Sequence, residues 1–182
     1  MSRWCQVLLA AAVLAPLVAG PAQARQRAGG ERDASDVSSG SPPVELRHIF
    51  QGEINRRGKA VGFHSRPGGV NPPTISGTSD PRPVRGHPGL YNLFRFQITQ
   101  DGRTETKGIS TLYPDKCSAA DVVAAIRHAF NSGQSHGPQF RGMSGPTCTD
   151  NDGQEFPITG FTGGRGELRI RTGFPDVGGG RR

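Results

Sequence analysis

The chain has 182 residues and a formal net charge of +7, and only three of its 22 Lys and Arg residues are lysines. This length allows one folded domain and excludes a chain of several large domains. Because the arginine guanidinium binds phosphate through a planar, bidentate contact, the charge favours a polyanionic partner such as nucleic acid over an acidic metabolite. A purely solubilising role of the charge is the alternative that composition leaves open.

The first 24 residues have the features of a Sec signal peptide. Arg3 gives a positive start, residues 7–19 form an apolar segment too short for a bilayer, and Ala22-Gln23-Ala24 is a small-residue cleavage motif. We therefore expect a secreted or periplasmic protein with no membrane contact after cleavage, and a single membrane anchor is the alternative. Residues 25–43 carry almost no large apolar side chain and are predicted to be a disordered leader.

The folded domain is predicted to span residues 44–176, with a flexible tail at 177–182. Its first element, at 44–50, has apolar side chains spaced for a short helix or turn that packs on a core. Residues 66–88 are crowded with Pro, Gly, Ser and Thr, which predicts a long irregular loop beside a site.

The middle of the domain has the pattern of an antiparallel hairpin. Residues 91–99 alternate as a half-buried strand, Asp101-Gly102 is a turn signal, and 104–111 is an extended, Thr-rich segment. The apolar side chains expected on one face of the first strand are Phe94, Phe96 and Ile98. The second strand of the hairpin is expected to present Lys107.

A helix and a last strand complete the order of elements. Ser118 and Asp121 form a capping-box pattern before apolar residues at helical spacing, and Gly133 is placed to end this helix. Residues 168–172 alternate as a strand whose arginines are expected to point away from the core. The sequence therefore predicts a single α+β domain, with antiparallel β-sheets and few helices.

The predicted mature chain keeps two cysteines, Cys117 and Cys148. In an oxidising compartment an even pair in a small domain is more often a disulfide than a set of metal ligands, so we predict a bridge between them. A zinc site that also uses His128 and His136 is the competing interpretation, although the spacing fits no compact metal motif.

The richest patch of chemistry lies between His48 and His64. The two histidines are sixteen residues apart, with three glycines and four cationic residues around or between them. Glycines allow a backbone to approach a phosphate, and histidine can serve as acid or base near neutral pH. From the spacing alone, two surface or packing histidines are the more common explanation.

Three segments in this order resemble the bacterial EndoU nuclease domain, a relative of uridylate-specific and poly(U)-specific endoribonucleases. The first is His48-Ile49-Phe50-x-Gly52-Glu53-Ile54-Asn55, which is followed by Gly58 and by Gly62-Phe63-His64. The second is Lys107-Gly108-Ile109-Ser110-Thr111-Leu112-Tyr113-Pro114-Asp115, and the third is Thr172-Gly173-Phe174-Pro175. The resemblance covers residues 44–175.

The resemblance implies a metal-free mechanism that depends on three side chains. His64 would be the general base on the ribose 2′-hydroxyl, and His48 the general acid at the leaving oxygen. Lys107 would stabilise the charge that develops on phosphorus. No cofactor is expected, and manganese dependence is left open.

The same resemblance implies the substrate contacts. Thr111 or its neighbour Ser110 matches the position that contacts the base in relatives that prefer uridine, and Thr172 matches a further hydroxyl of the active site. Phe174 stands where the family usually has tyrosine. It keeps a surface for stacking on a base and loses a hydroxyl.

The resulting prediction is an exported, monomeric endoribonuclease that cuts RNA at or near uridines and leaves 2′,3′-cyclic phosphate ends. A toxin role is implied by the resemblance and would call for an immunity protein as partner. Two alternatives come from other classes of protein. One is a non-catalytic module that binds RNA or another polyanion, and the other is a metal-dependent hydrolase that uses His48, His64 and Glu53.

Overall fold

The computed structural model of the chain describes residues 36–163 and 168–178. The predicted signal peptide, residues 25–35 of the predicted leader and the last four residues of the predicted tail lie outside the described residues. In the part of the chain that is described, we find no helix with the length and apolar content needed to span a membrane.

The described residues contain two α-helices, a short 3-10 helix at Pro67–Gly69 and ten strands. The helices are α1 (Leu46–Phe50) and α2 (Ala119–Ser132). The strands are β1 (Glu53–Ile54), β2 (Ala60–Val61), β3 (Ile75–Ser76), β4 (Arg82–Pro83), β5 (Tyr91–Gln100), β6 (Arg103–Leu112), β7 (Gln134–His136), β8 (Gln139–Met143), β9 (Pro157–Gly163) and β10 (Arg169–Pro175). All strand pairs are antiparallel, which confirms the predicted α+β class.

The strands form three sheets. The C-terminal sheet has the order β10-β9-β8-β7, and the hairpin sheet consists of β5 paired with β3, β4 and β6. β1 and β2 form a small two-stranded sheet that follows α1 directly. Two of the strands, β3 and β4, lie within the segment predicted to be an irregular loop, where each pairs two residues with β5.

Helix α2 packs on one face of the C-terminal sheet. It begins as predicted, because Ser118 and Asp121 exchange side-chain and backbone hydrogen bonds in a capping box, and it ends at Gly133. The described residues form two hydrophobic cores, and the apolar stripe of α2 contributes Val122, Ile126 and Ala129 to the larger one. This packing covers one face of the sheet, which we call the inner face.

The hairpin sheet corrects one expectation about β5. Its buried side chains are Tyr91, Leu93, Phe96 and Ile98, so the alternation changes phase and Phe94 is not on the face of Phe96. The change occurs at Arg95, whose φ of 49° lies in the left-handed region. On β6, Lys107 pairs with Phe96 and Ser110 with Leu93, so these two residues share a face although they are three apart.

The two ends of the domain also differ from the expectation. Residues 36–43, assigned to the disordered leader, contact the fold because Arg127 donates to Ser38 Oγ at 2.8 Å and to the Pro42 carbonyl at 3.0 Å. At the other end, Val177 packs against the larger core. On β10, Arg169 and Arg171 form ion pairs with the buried Glu45 at 3.8 and 3.6 Å. Their guanidinium groups are therefore paired within the fold, whereas the sequence predicted that they point away from the core.

The predicted disulfide is confirmed, since Cys117 and Cys148 are bonded with a Cα–Cα distance of 5.6 Å. Both cysteines are buried in the larger core. The bond uses both thiols, so the zinc site that would combine them with His128 and His136 is wrong.

Reduction of this bond is expected to destabilise the domain. The bridge closes a loop with a sequence separation of 31. Restricting the unfolded chain by such a loop stabilises the fold by about 3 to 4 kcal/mol. A thermal melt with and without reductant should show a lower Tm in reductant, and the double variant Cys117→Ala, Cys148→Ala should melt low in both. Two free thiols in the oxidised native protein would contradict the bridge.

Candidate active site

A backbone contact brings the two predicted catalytic histidines together. The Phe63 N–H donates to the His48 carbonyl at 2.8 Å, and the His64 N–H donates to the Ile49 carbonyl at 2.7 Å. The segment that ends in His64 therefore lies along α1. The centroids of the two imidazole rings are 5.8 Å apart.

Gly62 makes this approach possible. Its φ is +75°, and a Cβ at this position would lie 2.2 Å from the His48 carbonyl oxygen. A side chain would thus meet backbone, which cannot move aside as a flexible side chain can. A glycine is therefore required at this position for the two histidines to lie this close to each other.

Gly62→Ala is therefore expected to impair both stability and activity. The left-handed φ and the clash together cost about 2 to 5 kcal/mol. Gly108→Ala is the matched control, because a Cβ at Gly108 meets no atom within 4 Å and the residue has no left-handed φ. Chemical denaturation of both variants measures the difference. An unchanged free energy of unfolding in Gly62→Ala would show that the histidines do not depend on this contact.

His48 is oriented by a carboxylate. Its Nδ1 lies 3.0 Å from Glu53 Oε1, and its side chain is 14% exposed. A carboxylate accepts at this distance, so Nδ1 carries the proton and the second ring nitrogen, Nε2, is left for substrate.

His64 is oriented by Ser110. The Ser110 hydroxyl donates to the Phe63 carbonyl at 2.7 Å, so its oxygen accepts from His64 Nδ1 at 3.0 Å. The Thr111 carbonyl, 3.4 Å from the same nitrogen, is a second acceptor. Both contacts place the proton of a neutral ring on Nδ1. The lone pair is then on Nε2.

The pKa of His64 is lowered well below its usual 6.5. Burial is the largest cause, followed by the positive charge of Lys107 and by His48, while the hydrogen bond to the Thr111 carbonyl opposes them. The imidazole is therefore neutral at neutral pH.

Lys107 lies against the same residues. Its Nζ donates to Ser110 Oγ at 3.1 Å and to the Gly62 carbonyl. Burial lowers its pKa from 10.5 to about 7. Since an ammonium has three N–H groups and two are used here, one is left for an anion in the site.

Phe174 closes the site from the C-terminal sheet. Its ring stacks on His64 with centroids 5.2 Å apart and an angle of 27° between the planes. Thr172, on the same strand, has a buried hydroxyl with no hydrogen-bond partner among the described residues. The structure thus places His48, His64, Lys107, Ser110 and Phe174 in one cluster of contacts.

The two candidates for the contact with the base, Ser110 and Thr111, have different partners within the protein. Ser110 is buried and its hydroxyl is occupied by Phe63, His64 and Lys107, so it does not present a group to a nucleobase. Thr111 contributes its carbonyl to His64, while its hydroxyl donates to Asn92 Oδ1 at 2.8 Å.

Comparison with known proteins shows the family. The family model described as bacterial EndoU nuclease matches residues 44–177, which is most of the chain. The chain belongs to the bacterial EndoU nuclease family. The EndoU chain is also 34% identical over 95 residues to a protein of Bacillus cereus named "Toxin". This stretch is 50% of the chain and 16% of that relative. No solved structure matches the chain.

The EndoU site contains residues that sequence reasoning missed in these roles. Glu53 was considered only as a metal ligand, and the structure shows it as the partner of His48. Its place five residues after the histidine was the available signal. No sequence signal pointed to Asn92, because its hydrogen bond with Thr111 depends on the pairing of β5 with β6. Within the described ranges, no three His, Cys, Asp or Glu side chains form a group that could hold a metal.

Proposed function

We propose that the chain is an endoribonuclease that cleaves RNA by attack of a ribose 2′-hydroxyl on the adjacent phosphate. The products are a 2′,3′-cyclic phosphate and a new 5′-hydroxyl end. The observation that supports this most strongly is the meeting of two differently partnered imidazoles, 5.8 Å apart, beside a lysine. These groups correspond to the base, the acid and the cation that the reaction needs.

His64 is the general base. At neutral pH its ring is neutral, and the Ser110 contact at Nδ1 leaves the lone pair on Nε2. This nitrogen removes the proton of the 2′-hydroxyl as the oxygen attacks phosphorus. Ser110 is a positioning residue in this scheme, because it holds the tautomer of the base without touching substrate.

His48 is the general acid. The Glu53 carboxylate holds Nδ1 of the ring, and Nε2–H delivers a proton to the departing 5′-oxygen. The two histidines thus move one proton each in opposite directions. Their different partners, a hydroxyl for His64 and a carboxylate for His48, support this division of roles.

Lys107 stabilises the pentacoordinate phosphorane. Its third N–H is directed to a nonbridging oxygen, where negative charge increases during the reaction. The phosphate in turn favours the charged ammonium. With these three side chains in place, no step of the scheme requires a metal ion.

Preference for uridine is proposed to arise from Thr111, Asn92 and Phe174. Because the Thr111 hydroxyl donates to Asn92, its oxygen can accept from the N3–H of a uracil. The Asn92 amide can donate to a uracil carbonyl. Phe174 offers the stacking face, and the tyrosine hydroxyl usual at this position is replaced by hydrogen.

Export and a toxin role complete the proposal. The disulfide fits folding in an oxidising compartment, and the relative from Bacillus cereus carries the name "Toxin". If the chain acts as a toxin, the producing cell needs an immunity protein that blocks the active site. We propose a monomer in solution.

The proposal is tested with an RNA oligonucleotide that contains one uridine, incubated with the purified chain in chelator. We expect cleavage at that uridine with a cyclic phosphate end identified by mass spectrometry. The matched substrate with 2′-deoxyuridine at that position should not be cut. Cleavage of the deoxy substrate would contradict 2′-hydroxyl attack. Binding without cleavage, in chelator and in added manganese, would favour the non-catalytic module instead.

A further inference from the structure

The C-terminal sheet has a face that α2 does not cover. Phe140 on β8 and Gly173 on β10 point to the helix side, since Phe140 is buried in the larger core and a Cβ at Gly173 would meet Ile126. Side chains alternate along a strand, so the neighbours of these residues lie on the opposite face. We call this opposite side the outer face. Its members include Gln139, Arg141, Thr159, Phe161, Thr172 and Phe174.

The outer face is continuous with the active site through Phe174. This residue pairs with Thr159, whereas Phe161 pairs with Thr172. Phe161 is thus the diagonal neighbour of Phe174 on the adjacent strand, at roughly 7 to 8 Å. The ring that stacks on His64 and the ring of Phe161 therefore lie side by side on one surface.

Phe161 presents a partly exposed aromatic ring on the outer face. It is 38% exposed, and it is the one aromatic residue among the exposed large hydrophobic residues of the described chain. Exposed aromatic rings on a sheet suit base stacking, which works with any base because each has a π face. An aromatic ring beside a nuclease site therefore points to a nucleotide.

The charge of the outer face fits the same ligand. Arg141 lies in the row of Thr159 and Phe174, and its side chain is 63% exposed. Its one ion pair among the described residues, with Asp176, is exposed and 3.7 Å long, and Asp176 also accepts from the Thr159 hydroxyl at 2.7 Å. The Arg141 guanidinium can therefore turn from this carboxylate to a phosphate while Asp176 keeps its contact with Thr159.

We propose that the outer face of the C-terminal sheet binds a third nucleotide of single-stranded RNA, with its base on Phe161 and its phosphate at Arg141. The two nucleotides that flank the cleaved bond occupy the histidine site. The third extends the substrate across β9 towards β8. This inference rests on the proposed function, since it assumes that the histidine site cleaves RNA.

The experiment compares a dinucleotide with an eight-nucleotide RNA that contains one uridine. Phe161→Ala should lower kcat/KM for the longer RNA by about 5- to 100-fold, in line with the loss of one stacked base, and leave the dinucleotide unchanged. Phe161→Trp should restore the longer substrate. Val70→Ala, which removes another exposed apolar side chain, is the control and should change neither. Arg141→Gln should weaken the longer RNA and reduce the salt dependence of its binding by about one phosphate contact.

Binding of a non-cleavable eight-nucleotide RNA with 2′-deoxyuridine tests the third subsite separately from the proposed cleavage activity. If the wild type cleaves no RNA but binds this ligand more tightly than Phe161→Ala, the proposed function fails and the surface stands. If Phe161→Ala affects both substrates equally or neither, the third subsite is overturned. An absence of effect on both substrates is also the result expected if a protein partner covers this face instead of RNA.

Discussion

His64→Ala should lower the rate of RNA cleavage by about 10²- to 10⁴-fold, because removal of a general base leaves the 2′-hydroxyl protonated during attack. His48→Ala should lower the rate by a comparable factor, because the departing 5′-oxygen then receives no proton from a general acid. Both effects should appear in kcat, measured as single-turnover cleavage of a uridine-containing RNA. Affinity for a 2′-deoxy analogue should change far less, since neither imidazole is assigned a role in ground-state binding.

The matched control is His128→Ala, since His128 is an exposed histidine on α2 with no contact to the two active-site rings. It should cleave at the wild-type rate. Thermal melts of all three variants separate lost chemistry from lost fold. Wild-type rates in a folded His64→Ala or His48→Ala would remove the basis of the assignment.

Lys107→Met is expected to reduce cleavage by about 10²- to 10³-fold, the usual effect of losing one group that stabilises transition-state charge. Methionine keeps much of the aliphatic stem and removes the ammonium. Burial lowers the pKa of Lys107 from 10.5 to about 7, so the charged side chain is costly in the folded state. Lys107→Met should therefore fold at least as stably as the wild type, and the loss of activity will not come from unfolding.

The sign of the pH dependence follows from the two lowered pKa values. Since the folded pKa of Lys107 lies below its unfolded value, the cost of protonating this group in the folded state is full below about pH 7 and declines between about pH 7 and 10.5. Activity has the opposite dependence on this group. It needs the ammonium, so kcat/KM should fall above about pH 7, and it needs neutral His64, so the acidic limb should lie well below pH 6.5.

Lys107→Arg isolates the contribution of the lysine to this profile. A guanidinium keeps its charge at all these pH values, so the part of the alkaline limb that comes from Lys107 should disappear, while the part that comes from deprotonation of the general acid His48 should stay. The comparison is made with full kcat/KM profiles of the two proteins. An alkaline limb at the same pH in both would assign it to another group.

Helix α2 and the turn of the β5–β6 hairpin were predictable from the sequence because their signals are local. Ser118 and Asp121 cap the helix through neighbouring backbone, and Asp101-Gly102 adopts the positive φ values that a tight turn needs. The disulfide was predictable for a different reason, since only two cysteines lie outside the predicted signal peptide. None of these inferences needs a long-range contact.

The arrangement of the active site needed tertiary information. A strict alternation along β6 puts Lys107 and Ser110 on opposite faces, and only the phase change opposite Arg95 brings both to His64. A left-handed arginine in a strand has no sequence signal. The contact of Phe63 with the His48 carbonyl is likewise tertiary, although the glycine that permits it could be read from the family motif.

The most direct test of the acid and base assignment uses an RNA in which the departing 5′-oxygen is replaced by sulfur. A thiolate leaves without protonation, so this substrate does not need a general acid. His48→Ala should cleave it at close to the wild-type rate, while His64→Ala should stay as slow as on normal RNA. Rescue of His64→Ala, or failure to rescue a folded His48→Ala, would contradict the assignment of His64 as base and His48 as acid.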